Sequence, residues 1–524
     1  MNEPVVTVKQ GKLRGGIQKS VLGSSFIAFH EIPFAAPPIG ELRFKDPQPP
    51  APWTDIKDTG KATEKRCPQM KEVKPHDVIG EEDCLYLNVY TNSLSECKPV
   101  MFWIHGGAFL TGTGSFKDKR PDYLLAKDVV VVSANYRLGA FGFLNLGHKA
   151  AAGNQGLKDL IAALEWVKEN IANFGGDPNN VTIFGGSAGA ALSQALTMSP
   201  RAQGLFHKAI LQSGLLTCPW SINQSLPERG FRLAGILGKD SNDPEEVIKY
   251  LRTIDVKEIV KAQANVLTEE ETNGFCLPFG LNIDDIADNP VLPLPIEELL
   301  MNDVNIPIVV GYSSHESLMF IKDKSQKTMK HFDTYLLAHV KQLAMLKKLS
   351  PEDTETLLKT VRDSYFDGQS ITTDKVDGLV RLIGDIYFGI PAKLYVEDRV
   401  KRTNAPTYFY VYSYVGTQKT HTDLLVERVT KGASHVDEMA YLFYLPPAKI
   451  GDPEPPAVGT KDRTISERIT TLWTNVGKTG NPTPSLDDYI KIIWEPASKD
   501  KLQYLDIGEE SQLLPVEPHI LSSI

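Results

Sequence analysis

The residues Gly185-Gly-Ser-Ala-Gly189 set a serine among glycines in the spacing G-x-S-x-G. A serine hydroxyl performs acyl transfer only with help. A base must take its proton, a third group must orient that base, and N–H donors must meet the developing oxyanion. Where a serine of this spacing sits on a strand-to-helix turn, its partners follow in the order acid, then histidine. Two stretches downstream of Ser187 qualify: residues 311–316 (GYSSHE) and residues 432–438 (GASHVDE). Glu316 as orienting acid and His435 as base preserve the order. Glutamate serves as well as aspartate, because the role is to hold the tautomer and stabilise imidazolium. His315, beside Glu316, is a local competitor for the base, disfavoured because neighbours in an extended loop rarely point at each other. His421 is a weaker competitor. The oxyanion donors are expected from Ala188 N–H and from Gly107 and Ala108 in the stretch His105-Gly-Gly-Ala-Phe109. Small side chains there let a carbonyl oxygen come within about 2.7–3.1 Å.

These groups need a frame. Residues 181–184 (VTIF) read as a short buried strand and residues 190–198 as a helix rich in small residues. A turn this tight strains the serine backbone and crowds the residues two before and two after it, hence glycines. It also sets Oγ near a helix N-terminus, where N–H groups face developing negative charge. Residues 99–104 form a strand that runs into the 105–109 loop, and residues 84–90 alternate like another. Residues 129–132 are continuously apolar, as a sheet covered on both faces requires. Residues 157–174 recur at three- and four-residue steps as an amphipathic helix. Further strands are expected at 209–213, 306–311 and 406–414, a small meander over 1–30, and a late helix at 464–475. Strands alternating with helices predict right-handed βαβ units around a mostly parallel sheet. Residues 225–300 and 326–400 read as helical insertions, and with no repeat or linker one domain over 1–524 is expected.

Composition bounds the reading. Hydrophobic residues make up 42% and charged residues 23% of the 524, ordinary for a soluble chain. A net charge of −9 disfavours nucleic acid as a partner. No apolar run of about 18 residues suggests a membrane span. The N-terminus has no apolar h-region, so a cytoplasmic location without a signal peptide is expected. Five cysteines without C-x-x-C spacing predict no metal and no cofactor, and buried free thiols by default. Sequons stand at Asn180 and Asn223; the first leads into the serine-bearing strand and is expected to be inaccessible.

Several stretches together resemble the type-B carboxylesterase/cholinesterase family of α/β-hydrolases over nearly the whole chain. They are Ile32-Pro-Phe-Ala-Ala-Pro-Pro, Leu42-Arg-Phe44, Glu82-Asp-Cys-Leu-Tyr-Leu-Asn88, His105-Gly-Gly-Ala-Phe109, Asn135-Tyr-Arg-Leu-Gly-Ala-Phe-Gly-Phe143, Gly153-Asn-Gln-Gly-Leu-Lys-Asp159, Asn173-Phe-Gly-Gly-Asp-Pro178 and the G-x-S-x-G turn. Insect intracellular esterases are the most similar members. The resemblance implies an α/β-hydrolase fold with helical insertions over the active site. It implies the triad Ser187, Glu316 and His435, and the oxyanion hole Gly107, Ala108 and Ala188. It implies structural ion pairs Arg43–Glu82 and Arg137–Asp159, and secreted relatives bridge cysteines matching Cys67 and Cys84. Phe275, Leu277 and Phe279 are similar to the family's acyl-pocket stretch, and Tyr136, Phe320 and Tyr387 are further expected lining. The implied function is a serine carboxylesterase for esters with apolar acyl or alcohol groups, in xenobiotic or insecticide detoxification or sequestration. A dedicated hormone or pheromone esterase and a non-catalytic binding module are the alternatives. The implied partner is a small-molecule ester, and the expected state a monomer or weak homodimer.

Three departures from the family pattern stand out. Gly186 replaces the usual acid before the serine, which removes a negative charge beside Ser187 and His435. Ala108 stands where glycine is common, and Glu31 replaces a glycine. No tryptophan of the kind cholinesterases use is evident near residues 68–80. With Gly186, this argues against choline esters.

Overall fold

The computed structural model describes residues 3–222 and 226–523. Its centre is an 11-stranded sheet. In chain order the strands are β1 Gly16–Lys19, β2 Ser25–Pro33, β3 Tyr86–Thr91, β4 Lys98–Ile104, β5 Val130–Ala134, β6 Gly176–Gly186, β7 Lys208–Gln212, β8 Ile308–Ser313, β9 Thr407–Tyr412, β10 Gln503–Ile507 and β11 Gln512–Pro515. Across the sheet they lie β1-β2-β3-β5-β4-β6-β7-β8-β9-β10-β11. Neighbours from β5 to β10 are parallel, and the two edges are antiparallel.

The chain order reverses at β4. β5 lies on one side of it and β6 on the other, with Ile104 paired to Gly185. Such a reversal opens a crevice at the strands' C-terminal ends, where open α/β sheets bind ligands. The loop after β4 begins at His105 and the turn after β6 is Ser187, so both enter that crevice.

Successive residues of a strand face opposite sides. Val100, Phe102 and Ile104 of β4 enter one core, while Met101 and Trp103 enter the other. Helices α1 Gln155–Asn170 and α2 Ala188–Met198 fill the first core, and the late helix Lys461–Thr479 fills the second. The middle strands are therefore continuously apolar. β3 was expected to alternate but is buried from Leu87 to Thr91. Its polar Asn88 is satisfied inside, with Nδ2 donating to Gly114 O at 2.9 Å.

Both implied ion pairs are present. Arg43 grips Glu82 at 2.6 Å and donates to Ile254 O at 2.7 Å, tying the N-terminal segment to the turn after the helix Pro244–Leu251. Arg137 binds Asp159 through Nε and Nη2 at 2.8 and 2.7 Å, fully inside.

Several expectations need correction. The meander over 1–30 is split: Gly11–Arg14 pairs with Val5–Val8 on one side and Lys57–Asp58 on the other in a separate small sheet. β6 starts five residues earlier than read, and β10 and β11 were not read at all. Cys67 and Cys84 are not free thiols but form a disulfide, their Cα atoms 5.0 Å apart. Cys97, Cys218 and Cys276 are free. Asn180 is half-buried with its side chain paired to Lys208, and Asn223 lies outside the described residues.

Glu31, unexplained by sequence, has a structural role. It sits at φ 53° where β2 slips register against β3. Its carboxylate accepts N–H groups of Thr63, Glu64 and Lys65 at 2.8, 2.7 and 3.0 Å. Three charge-assisted bonds offset the strain that a glycine would avoid.

Candidate active site

Ser187 stands at φ 59°, ψ −128°, between β6 and the first residue of α2. This backbone conformation is costly for any residue with a Cβ and persists only where the surroundings fix it. Here they do. Ser187 N–H donates to Gln212 O of β7 at 2.8 Å. A Cβ on Gly185 would lie 2.5 Å from Gly189 O, and one on Gly189 would strike Ile104 O. Gly186 is different, because a Cβ there would meet Val436 Cγ1 at 3.1 Å and little else. Its lack of a side chain is therefore no steric requirement of the turn. Ser187 is half-buried while Gly186 and Ala188 on either side are buried.

Glu316 opens a single turn, Glu316–Met319, just beyond β8. Its Oε1 accepts from Ser313 N at 2.7 Å, and Oε2 lies 2.5 Å from His435 Nδ1. His435 N also donates to Glu316 O at 3.3 Å. Both side chains are almost wholly buried, 2% and 1% exposed. Two N–H groups thus converge on one carboxylate, so His435 Nδ1 carries a proton and Nε2 is left as the basic nitrogen. Ser187 and His435 line one cavity of about 630 Å³. The rival histidines have partners other than Glu316. His315 Nε2 is 3.7 Å from Asp377 Oδ1, off the cavity wall. His421 also lines the cavity, but its Nε2 is 3.3 Å from Glu72 Oε2.

The loop Gly106-Gly107-Ala108 forms the wall facing Ser187. Ala108 and Phe109 take φ 53° and 61°, turning the backbone sharply. The N–H groups of Gly107 and Ala108 have no acceptor among the described residues. Ala188 N–H, in the first turn of α2, has no intrahelical partner either. His105 Nδ1 is 2.8 Å from Gly106 O, and burial pushes its imidazole down to about 3. It is therefore neutral and rigidifies the loop without adding charge.

Of the expected lining residues, Phe275, Leu277, Phe320 and Tyr387 reach the cavity; Tyr136 and Phe279 do not. Tyr136 stacks beneath His105 with ring centroids 4.3 Å apart and donates to His105 O at 2.9 Å. It supports the oxyanion loop from behind. Phe279 is fully buried in the first core. Sequence reading missed Trp220 and Phe388, both on the wall. Phe388 lies 4.7 Å from His435, ring to ring, and comes from a π turn, Asp385–Gly389. Such turns often occur at functional sites, but no sequence pattern marks this one.

Glu438 was also missed. It is fully buried behind His435, accepting from Gln212 Nε2 at 2.9 Å and Tyr410 Oη at 3.3 Å, with Oε2 unpartnered. Burial, helped by the Glu316 charge, pushes its carboxyl up to about 7 against the Gln212 bond. The folded protein then holds a proton between pH 4.5 and 7 that the unfolded chain has released. Stability therefore falls as pH rises through that window. Glu438→Gln removes this dependence. Its melting temperature relative to wild type should rise from pH 5 to pH 8, as read by thermal denaturation across buffers. A flat difference would refute it.

A parallel sheet with a strained serine between strand and helix, and Ser, acid and His in that order, defines an α/β-hydrolase. The model of the carboxylesterase family matches residues 2–519, and the chain belongs to that family. It is 32% identical to esterase E4 of Myzus persicae over 95% of this chain and 90% of the relative. It is 31% identical to juvenile hormone esterase of Tribolium castaneum, over 97% and 88%. A crystal structure of juvenile hormone esterase from Manduca sexta, with OTFP covalently attached, superposes with a TM-score of 0.84 at 27% identity, covering 99% of this chain and 98% of that one. No helix among the described residues is long and apolar enough to cross a membrane.

Proposed function

We propose that this carboxylesterase hydrolyses esters with apolar acyl or alcohol groups through a Ser187–His435–Glu316 acyl-enzyme mechanism. One observation carries the reading: the 2.5 Å contact of His435 Nδ1 with Glu316 inside the cavity wall that also holds Ser187. His435 Nε2 takes the Ser187 proton as Oγ attacks the ester carbonyl. The oxyanion is received by the N–H groups of Gly107, Ala108 and Ala188. The C–O bond to the alcohol breaks, His435 returns the proton to the leaving oxygen, and the acyl group stays on Oγ. Water, deprotonated by His435, then attacks the acyl-enzyme, releasing the acid and restoring Ser187.

Phe275, Leu277, Phe320 and Phe388 give the cavity an apolar wall that suits an apolar acyl chain. With Gly186 no carboxylate stands beside the serine to attract a cation. The wild-type protein should hydrolyse naphthyl or nitrophenyl acetate, and an organophosphate should add its mass to the peptide carrying Ser187. No turnover and no adduct would sink the reading, including in favour of a non-catalytic module. Similarity to two juvenile hormone esterases, in sequence and in fold, supports a hormone ester as the second reading beside detoxification or sequestration. Competition between such a hormone and generic acetates separates them. The Cys67–Cys84 bridge counts against the cytoplasmic expectation, because disulfides persist in oxidising compartments.

A further inference from the structure

Helix α3, Gln326–Leu346, crosses the outside of the cavity's aromatic wall. Its buried residues are Met329, Phe332, Leu336, His339, Val340, Leu343 and Ala344. His339 is the one polar group in that row and is 1% exposed. It is not itself on the cavity wall. Its Nδ1 lies 2.9 Å from Tyr387 Oη, and Tyr387 Oη donates to Gly274 O at 3.2 Å. Tyrosine has one proton. All three groups are satisfied only if His339 Nδ1–H donates to Oη and Oη–H donates onward to Gly274 O. Burial holds His339 neutral, pushed down to about 4, and the hydrogen bonds rather than the charge select the tautomer.

The relay ends on the carbonyl just before Phe275. Phe275 sits at φ 57°, a strained conformation for a bulky residue. Its ring is enclosed by Tyr387 at 5.1 Å, His339 at 5.5 Å and Phe320 at 6.0 Å, centroid to centroid. Phe320 in turn lies 5.5 Å from the His435 ring. The strained residue that shapes the wall is thus held by the Tyr387 bond to Gly274 O together with the local bonds Gly274 N–H to Glu270 O at 2.9 Å and Phe275 N–H to Thr272 O at 3.3 Å; of these, only the Tyr387 bond is rooted outside the turn.

We propose that His339, acting through Tyr387, is a positioning residue for specificity: the pair fixes the Phe275 wall and so sets the length of acyl chain the cavity admits. This rests on reading the cavity as the ester site. Without the relay the Gly274 carbonyl is released, Phe275 leaves its strained conformation, and the wall gives way to longer chains. One methylene in an apolar pocket changes kcat/KM by roughly 10- to 200-fold, so a small movement is visible in a chain-length series.

The test is kcat and KM for nitrophenyl acetate, butyrate, hexanoate and octanoate with wild type, His339→Ala, His339→Asn and Tyr387→Phe. The octanoate-to-acetate ratio of kcat/KM should rise about tenfold in His339→Ala, chiefly through KM. Tyr387→Phe should raise it similarly, and the double variant no further, because both break one relay. His339→Asn keeps a donor at the Nδ1 position and should hold the wild-type ratio. An unchanged profile in His339→Ala and Tyr387→Phe, or a loss scaling all chain lengths equally, overturns the inference while leaving the ester-site reading intact. Failure of the wild type to turn over any ester overturns that reading instead. If His339→Ala does not fold, Tyr387→Phe and His339→Asn still decide the outcome.

Discussion

Replacing Ser187 by alanine should lower kcat/KM for nitrophenyl acetate about 10⁶-fold, the loss typical when a hydrolase nucleophile is removed. The protein should keep wild-type stability, because alanine retains the Cβ and therefore the strain at φ 59°, ψ −128°. Glycine at the same position should separate the two properties. Ser187→Gly is equally inactive, but it relieves strain of about 1–3 kcal/mol. Against that stands about 0.5–1 kcal/mol of added backbone entropy in the unfolded chain. A net gain of roughly 1 kcal/mol is expected, read as a higher denaturant midpoint at unchanged m-value. The comparison is controlled by the hydrogen bond Ser187 N–H to Gln212 O, which both variants keep. If Ser187→Gly is no more stable than Ser187→Ala, the backbone is not strained and the turn does not expose the hydroxyl by force. Residual activity above about one part in 10⁴ in Ser187→Ala would point to a different nucleophile.

What could be read from the sequence depends on how local its cause is. The serine turn was legible because its signature is contained in five residues, although what enforces it includes the neighbouring strand β4, whose Ile104 O a Cβ on Gly189 would strike. The parallel centre of the sheet was legible from apolar runs that alternate between two cores. Glu316 and His435 were legible as a pair through chain order, and their meeting at 2.5 Å depends on β8 and β9 lying side by side. The aromatic lining was only half legible. Tyr136 and Phe388 look alike as sequence; which ring faces the cavity is decided by tertiary packing, with Tyr136 claimed by His105 and Phe388 turned inward by a π turn. Glu31 gave no signal because its three partners lie more than thirty residues away. Sequence alone leaves the Cys67–Cys84 bridge open, since a low cysteine count favours free thiols and the family resemblance a bridge, whereas the fold brings the two to bonding distance directly.

Replacing Glu316 by glutamine should lower kcat by about 10⁴-fold, the scale seen when an orienting carboxylate becomes an amide. The geometry gives the reason. Both oxygens of Glu316 accept: Oε1 from Ser313 N at 2.7 Å and Oε2 from His435 Nδ1 at 2.5 Å. An amide offers one acceptor and two donors. If its oxygen keeps Ser313, its NH₂ faces Nδ1, and His435 must shift its proton to Nε2, the nitrogen that has to receive the serine proton. If its oxygen keeps Nδ1, the NH₂ faces the buried N–H of Ser313, and a donor meets a donor. Either flip also removes the negative charge that stabilises imidazolium in the transition state. Glu316→Asp keeps charge and both acceptors but shortens the reach by one methylene, so its kcat should fall less, by about 10- to 100-fold for a misplaced catalytic group. KM should move little in both variants, because neither oxygen touches the cavity's apolar wall. Steady-state kinetics on nitrophenyl acetate reads the split. Should Glu316→Gln retain more than about a tenth of wild-type kcat, another carboxylate orients His435, and the fully buried Glu438 behind it is the group to replace next.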